Sequence, residues 1–320
     1  MFDSPLSASA YEVLQSAPDA TDDDLRKAYR LRLRQTHPDT GGDAAVFVQV
    51  QRAWDLVGTP AARAAYDRGH GFGAHAPSYA PAGPAGGASG DGGSSGWRPP
   101  RAAHDTRPRA RSFGQPGGRR RESYLTLMRE WAGRGADLPD PYDPALVRTA
   151  PRELRRLLAD ALAEEATARA VGDLGMGYTV WHDVAADPRD PDHKLDHVIL
   201  GPSGLYAVLS EDVGGPIRLR RGELIGDGVV GAPIADTVAG ARALGRAARV
   251  RFSGVIIVLP DDDVAQAIEE VGKVRGLLVA VVARSALQTV LRRGLTGARD
   301  IGGNELFDIR TRLQQVVRFA

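Results

Sequence analysis

The sequence predicts a multi-domain chain. An all-α helical hairpin comes first, then a disordered Gly/Pro/Arg-rich linker, then an α/β domain with a mixed sheet. Three observations carry this. Residues 21–39, TDDDLRKAYRLRLRQTHPD, repeat Leu25, Tyr29 and Leu33 every four positions, which is one face of a helix. Residues 71–121 shift to Gly, Pro, Ala, Ser and Arg, with few side chains able to build a core. Beyond residue 143, short apolar runs alternate with helical patterns, as in a layered α/β domain. The expected units are 9–70, the linker 71–121, a connecting helical segment 122–150, and 151–320.

The totals narrow the class. With 320 residues the chain is long for one domain and comfortable for two. A net charge of +1 gives no whole-molecule field toward nucleic acid or membrane. The absence of cysteine excludes disulfides and thiolate zinc sites. The longest apolar run, 276–283, is strand-sized, and the opening MFDSPLSASAYEV lacks the basic and apolar regions of a signal peptide. The expectation is a soluble cytoplasmic protein with no membrane partner.

In the first unit, Thr21 with Asp24 three residues on reads as an N-cap. Arg26, Lys27, Arg30 and Arg34 cover the solvent side of the helix. Pro38 biases the residues before it away from helical dihedrals, so the helix ends in a His37-Pro38-Asp39 corner. A second amphipathic helix carries Phe47, Val50, Trp54 and Val57, and the short loop between them suits antiparallel packing. Together with YEVLQ at 11–15, KAYR, the Ala53-Trp54 pair and the closing RAAYD, these motifs resemble the J-domain of DnaJ-type co-chaperones. That resemblance implies a partner, a DnaK-type (heat-shock protein 70 class) ATPase whose hydrolysis is stimulated. His37, Pro38 and Asp39 would be the trigger. Arg26, Lys27 and Arg30 would steer the approach to an acidic surface.

The linker's second half gathers Arg98, Arg101, Arg107, Arg109, Arg111, Arg119, Arg120 and Arg121 against Asp105. It reads as solvated spacer, with a tether for nucleic-acid phosphates as the alternative. Next, Tyr124, Leu127, Met128 and Trp131 share a helical face. A long helix then spans 147–175, interrupted at Pro151. YTVWHDV, LDHVIL and GLYAVLS read as strands, the last two joined by a GPSG turn. IRLRRGELI reads as one exposed strand. A helix at 234–249, the buried strand GVIIVL, another helix, the strand GLLVAVV and two final helices complete the domain.

The segment KLDHVILGPSGLYAVLSEDVGG resembles the nuclease-related NERD family, as do EEATARAVGDLG and APIADTVAGARALG around it. That family implies a restriction-endonuclease-like fold with a PD-(D/E)xK-like Mg2+ site. Carried over, Asp196 would be the first carboxylate and Glu164, or its neighbour Glu165, the acidic-helix residue. The second carboxylate and the lysine fall at Leu209 and Glu211. Leucine cannot ligate a hard cation and glutamate cannot supply positive charge beside phosphate. The expectation is therefore a catalytically degenerate nuclease fold, not an enzyme, without catalytic residue, cofactor or metal, used for client or partner binding. Under the alternative, a Mg2+-dependent nuclease, Asp196 and Glu211 would hold the metal. Lys194, on the same strand face as Asp196, or Arg218 or Arg220 would then supply the charge. His197 is expected to pack or bond locally, and Asp192 and His193 to lie in a loop.

Overall fold

A computed structural model describes residues 5–6, 9–38, 42, 44–70, 108–133, 138–187 and 190–320. Among the described residues the N-terminal unit has four α-helices: α1 Ala10–Leu14, α2 Asp22–Thr36, α3 Ala44–Val57 and α4 Pro60–His70. A capping box between Ser9 and Glu12 starts α1. Thr21 caps α2 by accepting from the Asp24 N–H, and its hydroxyl donates to the Asp24 carboxylate at 2.7 Å. Tyr11, Leu14, Leu25, Val50, Ala53, Val57 and Tyr66 form the core. Tyr29 stacks flat on Trp54 at 4.4 Å, joining α2 to α3.

The closing RAAYD has a mechanical purpose. Arg63 donates to the Pro18 and Ala20 carbonyls at 2.9 and 2.7 Å, fixing the loop before α2. Tyr66 accepts from the Ala10 N–H at 2.8 Å, and Tyr11 donates to Asp67 at 2.6 Å. These bonds tie α4 to α1 across the unit.

In the second unit a seven-stranded mixed sheet runs in the order β1-β2-β3-β4-β7-β9-β8. Its strands are β1 Arg111–Phe113, β2 Thr179–Asp187, β3 Asp190–Gly201, β4 Gly204–Ser210, β7 Gly254–Leu259, β8 Ile268–Val274 and β9 Leu277–Ala283. A separate pair is β5 Arg218–Arg220 with β6 Glu223–Ile225. The helices are α5 Gly118–Ala132, α6 Pro144–Thr149, α7 Arg152–Gly172, α8 Pro233–Ala248, α9 Leu287–Arg293 and α10 Gly303–Val316. Strand β4 is wholly buried. Its Leu205, Ala207 and Leu209 join the core that includes residues of α8 and α10, and Tyr206 and Val208 join the core that includes residues of α9. A strand buried on both faces between helices makes this a three-layer domain.

Four sequence expectations are corrected. The linker does not extend to residue 121. Residues 111–113 pair parallel with β2, and 118–121 open α5. Composition missed this because the stabilising partners are buried carboxylates far along the chain. The stretch before GLLVAVV is not a helix but β8, which covers the edge of β9 with a register shift at Glu270/Gly272. IRLRRGELI is a hairpin, with Arg221 and Gly222 both at positive φ in its turn. Asp192 and His193 lie in strand β3, because β3 pairs with β2 back to Asp190. The remaining linker residues, 71–107, fall outside the described residues.

Candidate functional site

Among the described residues, two of the places that gather charged side chains hold residues singled out from the sequence. The first is the end of α2. Arg26, Lys27 and Arg30 are exposed on it. Arg26 and Lys27 each meet an aspartate one turn back, Asp23 at 3.0 Å and Asp24 at 3.1 Å, so part of their field is compensated. The helix stops at His37, whose backbone is extended before Pro38. The His37 ring stands edge-on to Phe47 of α3 at 5.1 Å, and its carbonyl accepts from the Gly42 N–H at 3.0 Å. Pro38 is exposed beside it, and Asp39 lies outside the described residues. The corner is thus braced from α3.

The second place is buried. Lys194 of β3 extends its ammonium to Glu164 of α7 and Asp183 of β2, each at 2.7 Å, and to Asp196 at 3.2 Å. The other oxygen of each carboxylate takes a backbone N–H. Gly117 donates to Glu164 at 3.0 Å, Arg119 to Asp183 at 3.1 Å and Ser210 to Asp196 at 2.9 Å. Two of these donors belong to the start of α5, where helix-terminal amides and dipole favour anions. Gly117 is required there. Its φ is +68°, and a Cβ would come within 2.7 Å of the Ala161 carbonyl oxygen. Arg120 completes the cluster, donating to Glu164 and to Asp160, each at 2.8 Å.

Burial sets the charge states. Despite desolvation, Lys194 stays cationic because Asp196 and Glu164 face it. Against desolvation, Lys194 and Arg120 hold Asp196 below the ordinary carboxylate range. Burial pushes Glu164 up to about 8, with Asp196 adding to the rise, and pushes Glu211 up to about 7. Lys194, Asp196, Leu209 and Glu211 line one cavity of about 540 Å3 with Arg119, Arg120 and His193. Glu211 is 6 % exposed, and its Oε2 accepts no hydrogen bond. Arg218 and Arg220 do not line this cavity. Glu165 pairs with Arg121 at 2.8 Å instead.

His197 is wholly buried. Its Nδ1 lies 2.7 Å from Nδ1 of His182, and its Nε2 lies 3.1 Å from the Ser210 hydroxyl. His182 Nε2 reaches Ser112 of β1 at 2.9 Å. Desolvation lowers His182 to about 4 and His197 to about 3, so both are neutral near pH 7. Sequence reading missed three members of the second site. Asp183 held no motif position, although its φ of +55° in mid-strand marks a strained backbone. Gly117 and Arg120 were absorbed into the linker.

With this geometry in hand, comparison with known proteins settles the first unit. Residues 9–67 match the family described as DnaJ domain. The N-terminal unit is a J-domain. Similar proteins include DnaJ protein homolog 2 of Allium porrum, 41 % identical over 58 residues, covering 18 % of this chain and 14 % of that protein. Chaperone protein DnaJ of Bordetella petrii is 45 % identical over 65 residues, 19 % of this chain and 17 % of that one. Chaperone protein DnaJ 1 of Cutibacterium acnes is 38 % identical over 66 residues, 20 % and 17 % respectively. The chain therefore spans about one-seventh to one-sixth of the length of these relatives. No solved structure matches the chain. Among the described residues no helix is long and apolar enough to cross a membrane.

Proposed function

We propose that this chain is a cytoplasmic J-domain co-chaperone. It docks on a DnaK-type chaperone through His37-Pro38-Asp39 and the cationic face of α2, and stimulates ATP hydrolysis there. The observation that carries this reading is the J-domain match over residues 9–67, with His37 and Pro38 at the end of an exposed basic helix and braced by Phe47. Arg26, Lys27 and Arg30 raise the rate of encounter with an acidic partner by long-range attraction. The segment 71–107 tethers this trigger to the C-terminal domain, which binds a client or partner and so raises the local concentration of the chaperone near it.

In this reading the C-terminal domain descends from the restriction-endonuclease-like fold of NERD proteins and is not an enzyme. What supports that is the leucine at 209 in the cavity wall beside Asp196, where the resemblance requires a metal-binding carboxylate. Non-specific binding of nucleic acid by the linker arginines is a lesser role. It is reduced because Arg120 and Arg121 are engaged with Asp160, Glu164 and Glu165.

The test is single-turnover ATP hydrolysis by a DnaK-type chaperone with the full chain. His37→Gln is expected to abolish stimulation while leaving the helical circular dichroism and melting curve unchanged. Undiminished stimulation by a folded His37→Gln protein would refute the docking role. Cleavage of DNA in Mg2+ by the full chain, lost in Asp196→Ala, would refute the non-enzymatic reading of the second domain.

A further inference from the structure

The resemblance to Mg2+-dependent nucleases implies a metal between Asp196 and its neighbouring carboxylates, and the donor set does not fit one. Glu164, Asp183 and Asp196 each spend one oxygen on a backbone N–H and turn the other toward a single point. That point is the Nζ of Lys194, at 2.7, 2.7 and 3.2 Å. An ammonium has three donors, and three carboxylates face it. Asp183 Oδ1 and Asp196 Oδ1 have no hydrogen-bond partner beyond this ion pair, so they are the oxygens a cation would take. Arg120 brings a second fixed positive charge to the same oxygen of Glu164, Oε1, at 2.8 Å. Among the described residues no group of three or more acidic or histidine side chains is arranged to hold a metal ion.

We infer that the Lys194 ammonium is a built-in cation standing where a divalent metal would otherwise sit, so that the cage excludes metal for as long as Lys194 is present. Entry of Mg2+ would demand oxygens at about 2.0–2.1 Å in octahedral order, with Lys194 expelled and two positive groups left beside the ion. Expelling Lys194 is itself unfavourable, because its side chain is only 9 % exposed and the carboxyl groups that face it are buried with it. Deleting the ammonium while keeping the carboxylates should open a vacant site. To reach the about 2.3–2.6 Å that suits Ca2+, the Glu164 and Asp183 oxygens need move inward by a few tenths of an ångström and the Asp196 oxygen by about 0.6 Å or more. The cage is therefore a latent metal site kept closed by one lysine, independently of how the J-domain acts.

The experiment titrates the full chain with Mn2+, following the free aqua-ion signal by electron paramagnetic resonance, and records melting curves with Ca2+ and with Mn2+. Wild type is expected to retain no Mn2+ at the cage and to melt at the same temperature with and without cation. Lys194→Ala is expected to gain one Mn2+ per chain, at least about tenfold tighter than wild type, together with a cation-dependent rise in melting temperature. Lys194→Ala with Asp196→Asn should lose both. If Lys194→Ala does not fold in metal-free buffer, refolding in Mn2+ or Ca2+ should restore it, and failure of that rescue counts against the inference. Wild-type binding of Mn2+ that disappears in Asp196→Asn would overturn it. So would a folded Lys194→Ala chain with no gain in affinity. Neither result would touch the co-chaperone reading, whose failure appears only in the ATPase assay.

Discussion

The basic helix of the J-domain and the cage of the C-terminal domain use the same residue types at similar distances, to opposite ends. Arg26 and Lys27 reach Asp23 and Asp24 at 3.0 and 3.1 Å, with roughly half or more of each side chain in water. Lys194 reaches Glu164 and Asp183 at 2.7 Å with almost none. In water such a pair is screened and contributes little, so the cations remain available to a partner. Out of water the same pair becomes a requirement of the fold, because either member alone is a buried, uncompensated charge. Distance does not separate an exposed charged face from a structural lock. Solvent does.

The sharpest way to break this comparison is to remove one member of the buried set. Glu164→Ala removes the partner that Lys194 and Arg120 share, and is expected to cost about 3–5 kcal/mol in urea unfolding at pH 9, above the value of about 8 to which burial pushes Glu164. A loss below about 1 kcal/mol would mean that water enters the cage, and would reduce it to a surface network.

The next effect has the opposite sign and depends on pH. Burial holds Glu211 at about 7 in the native state, well above its ordinary value of 4.5. Between those values the unfolded chain has released a proton that the native state keeps. This contribution to stability is therefore complete below pH 4.5 and lost as pH rises through about 7. Glu211→Gln suffers no such loss. Its advantage over wild type should be absent near pH 4, grow through neutrality, and level off above pH 8 at about 3 kcal/mol. His182 and His197 run the other way, since their lowered values remove stability as pH falls from 6.5 toward 4. The reading therefore compares variant and wild type at each pH, and a gap that is constant with pH would contradict it.

The smallest change in stability is expected on α2. Asp23→Asn should leave the unfolding midpoint within about 0.5 kcal/mol of wild type. Arg26→Ala with Arg30→Ala should behave alike in urea, yet reduce ATPase stimulation by an amount that shrinks as salt is raised. A large stability loss in either protein would show that α2 carries structural charge after all.

Much of the first unit could be read in advance because its contacts are local in sequence. The period of Leu25, Tyr29 and Leu33, the Thr21 cap and Pro38 each act within a turn or two. Strands β2, β3 and β4 were equally legible, since their apolar runs and the Gly201–Gly204 turn are short-range features. Strand β8 was not. Residues 268–274 have mixed propensity, and what makes them a strand is the open edge of β9. The arginines at 119–121 were legible as charge but not as fold. Only the position of Asp160, Glu164 and Glu165 on α7 turns that stretch from spacer into helix.

By itself, the sequence determined the basic helix α2, its stop before Pro38 and the likeness of the N-terminal unit to a J-domain. Tertiary structure alone decided that Asp183, Glu164 and Asp196 converge, and that Lys194 sits among them. The reason is that side-chain types are written along the chain, while the dielectric around each charge exists only once strands and helices from distant segments have closed over it.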